Sequence, residues 1–240
     1  MNKHIQDYKT LVFDCDGVVL NSNKIKSQAF YEATKHYGHK AAQDFVDYHV
    51  ANGGVSRYAK FKYFITQVLQ QPFDEALNQD LLERFAVAVK QGLKICEIAE
   101  GLEQLKAQTP NSNWLIVSGG DQKELREVFA ARDLAKYFEG GIFGSPDTKD
   151  KILARELEIG NITRPALFLG DSKYDYQAAK NAELDFVFIS QWTEVKNWES
   201  FCAHNKLAVL TNLSFEALNG DNNAPQKPKI SIITICKNRL

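Results

Sequence analysis

Acidic residues stand at two points where the chain leaves a continuous apolar run. In Leu11-Val12-Phe13-Asp14-Cys15-Asp16-Gly17, carboxylates at alternate positions follow the run, and a glycine follows them. A carboxylate there can act as a nucleophile. One two residues further on points to the same side of an extended chain, where it can protonate a leaving oxygen and then activate water. Gly17 lets the backbone turn sharply beside a ligand. The second point is Phe168-Leu169-Gly170-Asp171-Ser172-Lys173-Tyr174-Asp175. If the apolar runs are neighbouring strands, Asp14 and Asp171 can share a magnesium ion, which takes oxygen ligands and needs few carboxylates beside a substrate phosphate. Asp175 would orient those ligands, or Lys149, from behind.

Two further segments suit a phosphate. Val117-Ser118-Gly119-Gly120-Asp121 offers a hydroxyl and exposed backbone N–H groups at a helix start. Lys149 falls in the first turn of a helical run, where its charge opposes the helix dipole, so a local anion would explain it; Lys151 competes for that role. Each segment also has a plainer reading. Asp16-Gly17 can be a turn with Asp14 as a helix cap, and Ser118-Gly119 a turn before an N-cap Asp121. Lys149 can be a solvated side chain, and Asp171 or Asp175 an N-cap.

These residues need a scaffold that brings them to one edge. The apolar runs at Thr10–Phe13, 114–117, 166–169 and 186–189 are continuous rather than alternating, as suits parallel strands buried on both faces. Helical patterns at 122–130, Lys149–Glu158 and 174–182 lie between them. Alternating strands and helices predict an α/β, doubly wound, Rossmann-like parallel sheet, whose ligands bind beyond the carboxyl ends of the strands. The stretch 21–96 breaks the rhythm with helical spacing, as in Val55, Tyr58, Phe61, Ile65 and Val68, and reads as an inserted all-helical cap. Gly53-Gly54 and Gln71-Pro72 mark turns within it, and its aromatic residues read as bundle core. The core is then 1–20 and 97–212.

Composition excludes several classes. The 240 residues are 44% hydrophobic and 25% charged, with a net charge of -1 that gives no field for gathering nucleic acid. No stretch approaches a bilayer-spanning run and no signal peptide opens the chain, so no membrane partner is expected and a cytoplasmic location is the default. Cys15, Cys96, Cys202 and Cys236 lack disulfide or zinc spacing and read as reduced, mostly buried side chains.

In order, strand placement and spacing the four segments resemble the haloacid dehalogenase superfamily, whose pattern is an apolar strand with DxDG, a strand with Ser or Thr, a Lys, and GD followed by an acid. The resemblance covers roughly residues 8–212. It implies Asp14 as nucleophile, Asp16 as general acid/base, and Ser118, the Gly119 backbone and Lys149 as phosphate ligands. Magnesium would be held by Asp14, Asp171 and the backbone carbonyl of Asp16, with Asp175 in support. The insertion looks like the helical cap of the phosphoglycolate-phosphatase and phosphoglucomutase-like branch, which selects the leaving group. Within it, Gly54-Val55-Ser56-Arg57 is similar to a GxSR loop that touches substrate, so Ser56 and Arg57 are candidate substrate contacts; Ser56 as N-cap and Arg57 as a solvated first-turn residue is the other reading. Glu183 stands where the branch has glycine, and Lys26 where its mutases have histidine. The expected activity is a magnesium-dependent phosphatase acting on a small phosphorylated metabolite through an aspartyl-phosphate, with a phosphomutase or a catalytically inactive module as alternatives.

The segment 213–229 reads as a helix and a polar linker rich in Gly, Pro and Asn. After it, Lys229-Ile230-Ser231-Ile232-Ile233-Thr234-Ile235-Cys236 resembles the first strand of a family 2 glycosyltransferase. That resemblance implies a further domain from 230 on, a fused or partner glycosyltransferase and a sugar phosphate as substrate; an edge strand of the same sheet is the alternative.

Overall fold

A computed structural model of the chain describes residues 4–214. The linker and the apolar run 230–235 lie outside the described residues, so the readings of 215–240 are not addressed.

Strands β1 (Thr10–Phe13), β2 (Asn113–Asp121), β3 (Gly141–Ser145), β4 (Ala166–Gly170), β5 (Asp185–Ile189) and β6 (Ala208–Leu210) form a sheet in the order β3-β2-β1-β4-β5-β6. Every pairing is parallel. The continuous apolar runs follow from burial on both faces. Leu11 and Phe13 point into a core shared with Trp114, Ile116, Leu169 and Val187, while Val12 joins Leu115, Val117, Phe168 and Phe188 on the other side. Helices α5 (Leu102–Gln108) and α6 (Gln122–Ala131) cover the first face; α7 (Lys149–Glu158), α8 (Lys173–Asn181) and α9 (Trp198–Asn205) cover the second. Two strands escaped the sequence reading. β3 carries glycines that hide its apolar pattern, and β6 is too short to show one.

Between β1 and β2 the chain makes α1 (Asn23–Thr34), α2 (His39–Ala51), α3 (Arg57–Tyr63) and α4 (Glu75–Ile95), with a π-helical turn at Phe64–Val68. This insertion contains only helices, as expected. Its core is aromatic: Phe30, Phe45, Phe61, Phe64 and Phe85 are all buried, with ring centroids 4.3 Å apart for Phe30–Phe85 and 4.8 Å for Phe45–Phe64. Offset and edge-on contacts of this kind add to the burial of the rings. No helix among the described residues is long and apolar enough to cross a membrane. Cys15, Cys96 and Cys202 are free and buried. Glu183 has φ 54°, so the turn after α8 is made in the left-handed region by a residue with a side chain.

Removing one ring from the cap core leaves a cavity that the packed neighbours cannot fill. Phe45→Ala, distant from the acids, is expected to lower stability by about 3–5 kcal/mol, read as a fall in the urea midpoint of unfolding.

Candidate active site

Both acid-bearing segments leave the sheet at its centre. Phe13 of β1 is in register with Leu169 of β4, so Asp14 and Asp171 emerge side by side at the carboxyl edge, where the strand order runs outward in both directions. The Asp14 N–H donates to the Leu169 carbonyl at 2.9 Å and continues the ladder one residue past β1. Asp14 is therefore a strand-end residue and no helix cap. Its Oδ1 accepts from the Cys15 N–H at 2.7 Å, and its Oδ2 lies 2.9 Å from Lys149 Nζ. Lys149 opens α7, whose N-cap is Thr148. The same ammonium bonds Asp175 Oδ1 in a very short contact. Asp175 Oδ2 accepts from the Ser172 N–H at 3.0 Å and its hydroxyl at 2.7 Å.

Ser172, rather than Asp171 or Asp175, is thus the N-cap of α8, and Asp175 closes its capping box. Lys149 is 1% exposed whereas Lys151 is exposed, which decides between them and removes the reading of Lys149 as a solvated side chain.

One oxygen each of Asp14, Asp171 and Asp175 lie within 4.8 Å of one another, all three residues buried. Such a set is short of positive charge. Burial first, and then Asp175, raises the Asp14 pKa to about 7 in spite of Lys149. Burial, then Asp175 and Asp14, push Asp171 well above the usual carboxylate range. For Lys149, burial opposes the charge, but the flanking Asp14 and Asp175 outweigh it and keep the amine protonated. Hard oxygen donors driven toward protonation by one another are what a magnesium ion would relieve, so the residues fit that ion.

Asp16 lives in another environment. It accepts from Ser22 Oγ at 2.6 Å and from Lys26 Nζ at 2.5 Å. Burial pushes its pKa up, but the Lys26 charge and these hydrogen bonds outweigh burial and hold it below the usual range. Gly17 has φ 77°, and a Cβ there would lie 2.0 Å from Asp171 Oδ2, so the turn after Asp16 requires glycine twice over.

The β2 end brings Ser118, fully buried, to the same edge, with the Gly120 N–H donating to its Oγ at 3.1 Å. Asp121 is the N-cap of α6. The cap rests on this loop: a Cβ on Gly119 would lie 2.1 Å from the Gly54 carbonyl oxygen. Arg57, 6% exposed, makes a two-pronged pair with Glu124 of α6 and lies 4.6 Å from the Phe85 ring centroid. Tyr58 Oη donates to Asp121 at 2.7 Å. Arg57 is therefore not a solvated first-turn residue. Ser56 caps α3, accepting from the Ala59 N–H at 3.3 Å.

Asp14, Asp16, Gly119, Asp171 and Arg57 line one cavity of about 50 Å³ beneath the cap. That is room for no more than about four waters. Lys26, His49, Lys60 and Asn23 line it too. Asn23 donates to Asp171 Oδ2 at 2.8 Å and to the Trp192 carbonyl at 2.9 Å. Sequence reasoning placed none of these four among the candidate site residues, although Lys26 stood out where the mutases have histidine. For the lysines a signal was present: Lys26 shares the buried stripe of α1 with Ala29, Phe30 and Ala33, and Lys60 that of α3 with Arg57 and Phe61.

A family model for haloacid dehalogenase-like hydrolases matches residues 8–183. The chain belongs to that family. Among solved structures of similar fold are a β-phosphoglucomutase from Clostridium difficile, with TM-score 0.67, 16% identity, and 85% of this chain and 91% of that one covered. Another is a haloacid dehalogenase-like hydrolase from Streptococcus pneumoniae, with TM-score 0.60, 17% identity, and coverage of 84% and 93%. A third, a hydrolase from Pseudomonas syringae, has TM-score 0.64, 17% identity, and coverage of 85% and 94%. No curated protein sequence matches the chain.

Lys149→Met would leave Asp14 and Asp175 buried without their counter-charge, an expected loss of about 3–5 kcal/mol. An acid whose folded pKa lies above its unfolded value of about 4 binds protons in the native state that the unfolded chain does not. The contribution of Asp14 to stability therefore rises as the pH falls from about 7 toward about 4, while the buried neutral His49 acts in the opposite sense in both proteins. The deficit of the variant relative to the wild type shrinks as the pH falls. Thermal melts of both proteins, metal-free, near pH 8 and pH 5 check this; a deficit unchanged with pH counts against the charge account.

Proposed function

We propose that the chain is a magnesium-dependent phosphatase that hydrolyses a small phosphorylated metabolite through an aspartyl-phosphate on Asp14. The observation that carries this reading is the buried set Asp14, Asp171 and Asp175 with Lys149 bonded to two of its members, at adjoining strand ends beneath a cap. Asp14, Asp171 and the Asp16 carbonyl would hold the metal, which offsets repulsion between carboxylate and phosphate and stabilises charge on the transferring group.

The chain's own residues supply the rest. Lys149, the Ser118 hydroxyl and the Gly119 backbone hold the phosphate oxygens. An Asp14 oxygen attacks phosphorus as the ester oxygen departs; water then cleaves the acyl phosphate and regenerates the carboxylate. In its pair with Lys26, Asp16 is ionised, the form that takes a proton from that water. For the earlier step it must first gain a proton from solvent, since Asp16 outweighs the effect of burial and holds the Lys26 ammonium more firmly protonated than a free lysine. Where the mutases resembled by this chain have histidine, Lys26 is thus engaged with the acid/base residue, which favours hydrolysis over phosphomutase activity. A cytoplasmic location accords with this reading.

Turnover of p-nitrophenyl phosphate should depend on magnesium and vanish with EDTA. Asp14→Asn should abolish it, since an amide cannot replace the nucleophile, and Asp16→Asn should cost about 10²–10⁴-fold in kcat. Near-normal activity in Asp14→Asn would falsify the covalent route.

A further inference from the structure

The ion pairs around the cavity leave Lys60 unmatched. Lys26 is paired with Asp16, Lys149 with Asp14 and Asp175, and Arg57 with Glu124. Lys60 is 2% exposed and lines the same cavity. Among the described residues no carboxylate is within salt-bridge distance of it. Its Nζ donates instead to His49 Nδ1 at 2.7 Å.

With Lys60 as an ammonium, which can only donate, the neutral ring carries its proton on Nε2 and His49 keeps a donor of its own. Burial, and then the charges of Lys60 and Lys26, hold His49 far below its usual pKa and therefore neutral. Burial, and then the charge of Lys26, bring the Lys60 amine down to about 7, although Asp16 and Glu194, the latter also lining the cavity, raise it from beyond salt-bridge distance. Phe30 and Phe85 wall the cavity beside it, with the Phe30 ring centroid 5.6 Å from Nζ.

An ammonium is costly to bury without an anion, and a helical bundle core has no need of one. A methionine would fill the same space. The lysine makes physical sense if an anion arrives with the ligand and completes the charge balance that Asp16, Asp175 and Glu124 already complete for the other cations.

We propose that Lys60 and His49 form a subsite for an anionic oxygen group on the end of the substrate that is not transferred, either a carboxylate or a second phosphate. The leaving group is then a small phosphorylated acid or bisphosphate, and neutral polyol phosphates are poor substrates. This rests on the phosphatase reading above. Arg57 could serve such a group only by giving up Glu124, whereas Lys60 has no acid to surrender.

The test uses the full chain with magnesium and matched pairs of esters. 3-Phosphoglycerate differs from glycerol 3-phosphate by a carboxylate in place of a hydroxymethyl group, and propane-1,3-diol bisphosphate from its monophosphate by the second phosphate. At least one anionic member should exceed its neutral partner in kcat/KM by about tenfold or more, and Lys60→Met should bring that ratio close to one. Which pair responds distinguishes carboxylate from phosphate. Wild-type ratios near one in both pairs, or a ratio preserved in Lys60→Met, overturn the proposal. A measurement on the wild type alone guards against misfolding of the variant: glycerate should inhibit p-nitrophenyl phosphate hydrolysis at concentrations about tenfold lower than glycerol, by the same margin, and equal inhibition overturns the subsite. Absence of any wild-type turnover of p-nitrophenyl phosphate would instead sink the phosphatase reading itself.

Discussion

The ammonium of Lys149 is the constraint around which the active site is arranged. It bonds Asp14 and Asp175 in a place closed to water, with Asp171 alongside. Placing it there requires α7 to begin at that point, which the Thr148 cap achieves. It requires β1 and β4 to be neighbours in register, so that the acids come from adjoining strand ends. It also requires α8 to turn Asp175 inward, which the capping box with Ser172 does. Each of these is an ordinary local device. Their joint product is a site whose acids repel one another more than a single lysine can compensate, an imbalance that a metal ion would relieve.

Asp14 and Asp16 show how little sequence distance is needed to separate two carboxylates chemically. One is raised by burial among like charges; the other is lowered because Lys26 and Ser22 outweigh its burial. Environment alone thus gives two carboxylates two positions apart opposite tendencies to ionise. The partners of Asp16 come from the N-cap and first turn of α1, the opening helix of the cap, and Asn23 of the same turn reaches Asp171. The cap therefore begins inside the catalytic constellation instead of merely covering it.

Much of this was legible in the residues. The apolar runs gave four of the six strands to within a few positions because burial on both faces leaves no polar residue to blur them. The acids at the ends of the runs at Phe13 and Leu169 announced the site because nothing structural demands charges there. What the sequence hid has physical causes. Glycines in β3 and the brevity of β6 removed the strand signal. Asp171 and Asp175 looked like caps because a serine between them, Ser172, does that work. Lys26, His49 and Lys60 resemble solvated residues until the apolar neighbours on their own helices are noticed, and Asn23 carries no pattern at all. Arg57 was read as either solvated or free to grip an anion, and a pairing with Glu124, distant in sequence, cannot be seen from spacing.

The contact between Gly54 and Gly119 has a consequence for how such a protein can change. There the cap meets the loop after Ser118 through main-chain atoms, since a carbonyl oxygen occupies the space a side chain on Gly119 would need. That main-chain contact adds to the side-chain bonds Arg57–Glu124, Lys26–Asp16 and Asn23–Asp171 in fixing where the cap sits. Lys60 and His49 contact each other and not the acids at the strand ends, so substitutions there leave these cap contacts in place. The lining of the cavity can therefore vary at such positions without moving the acids beneath it.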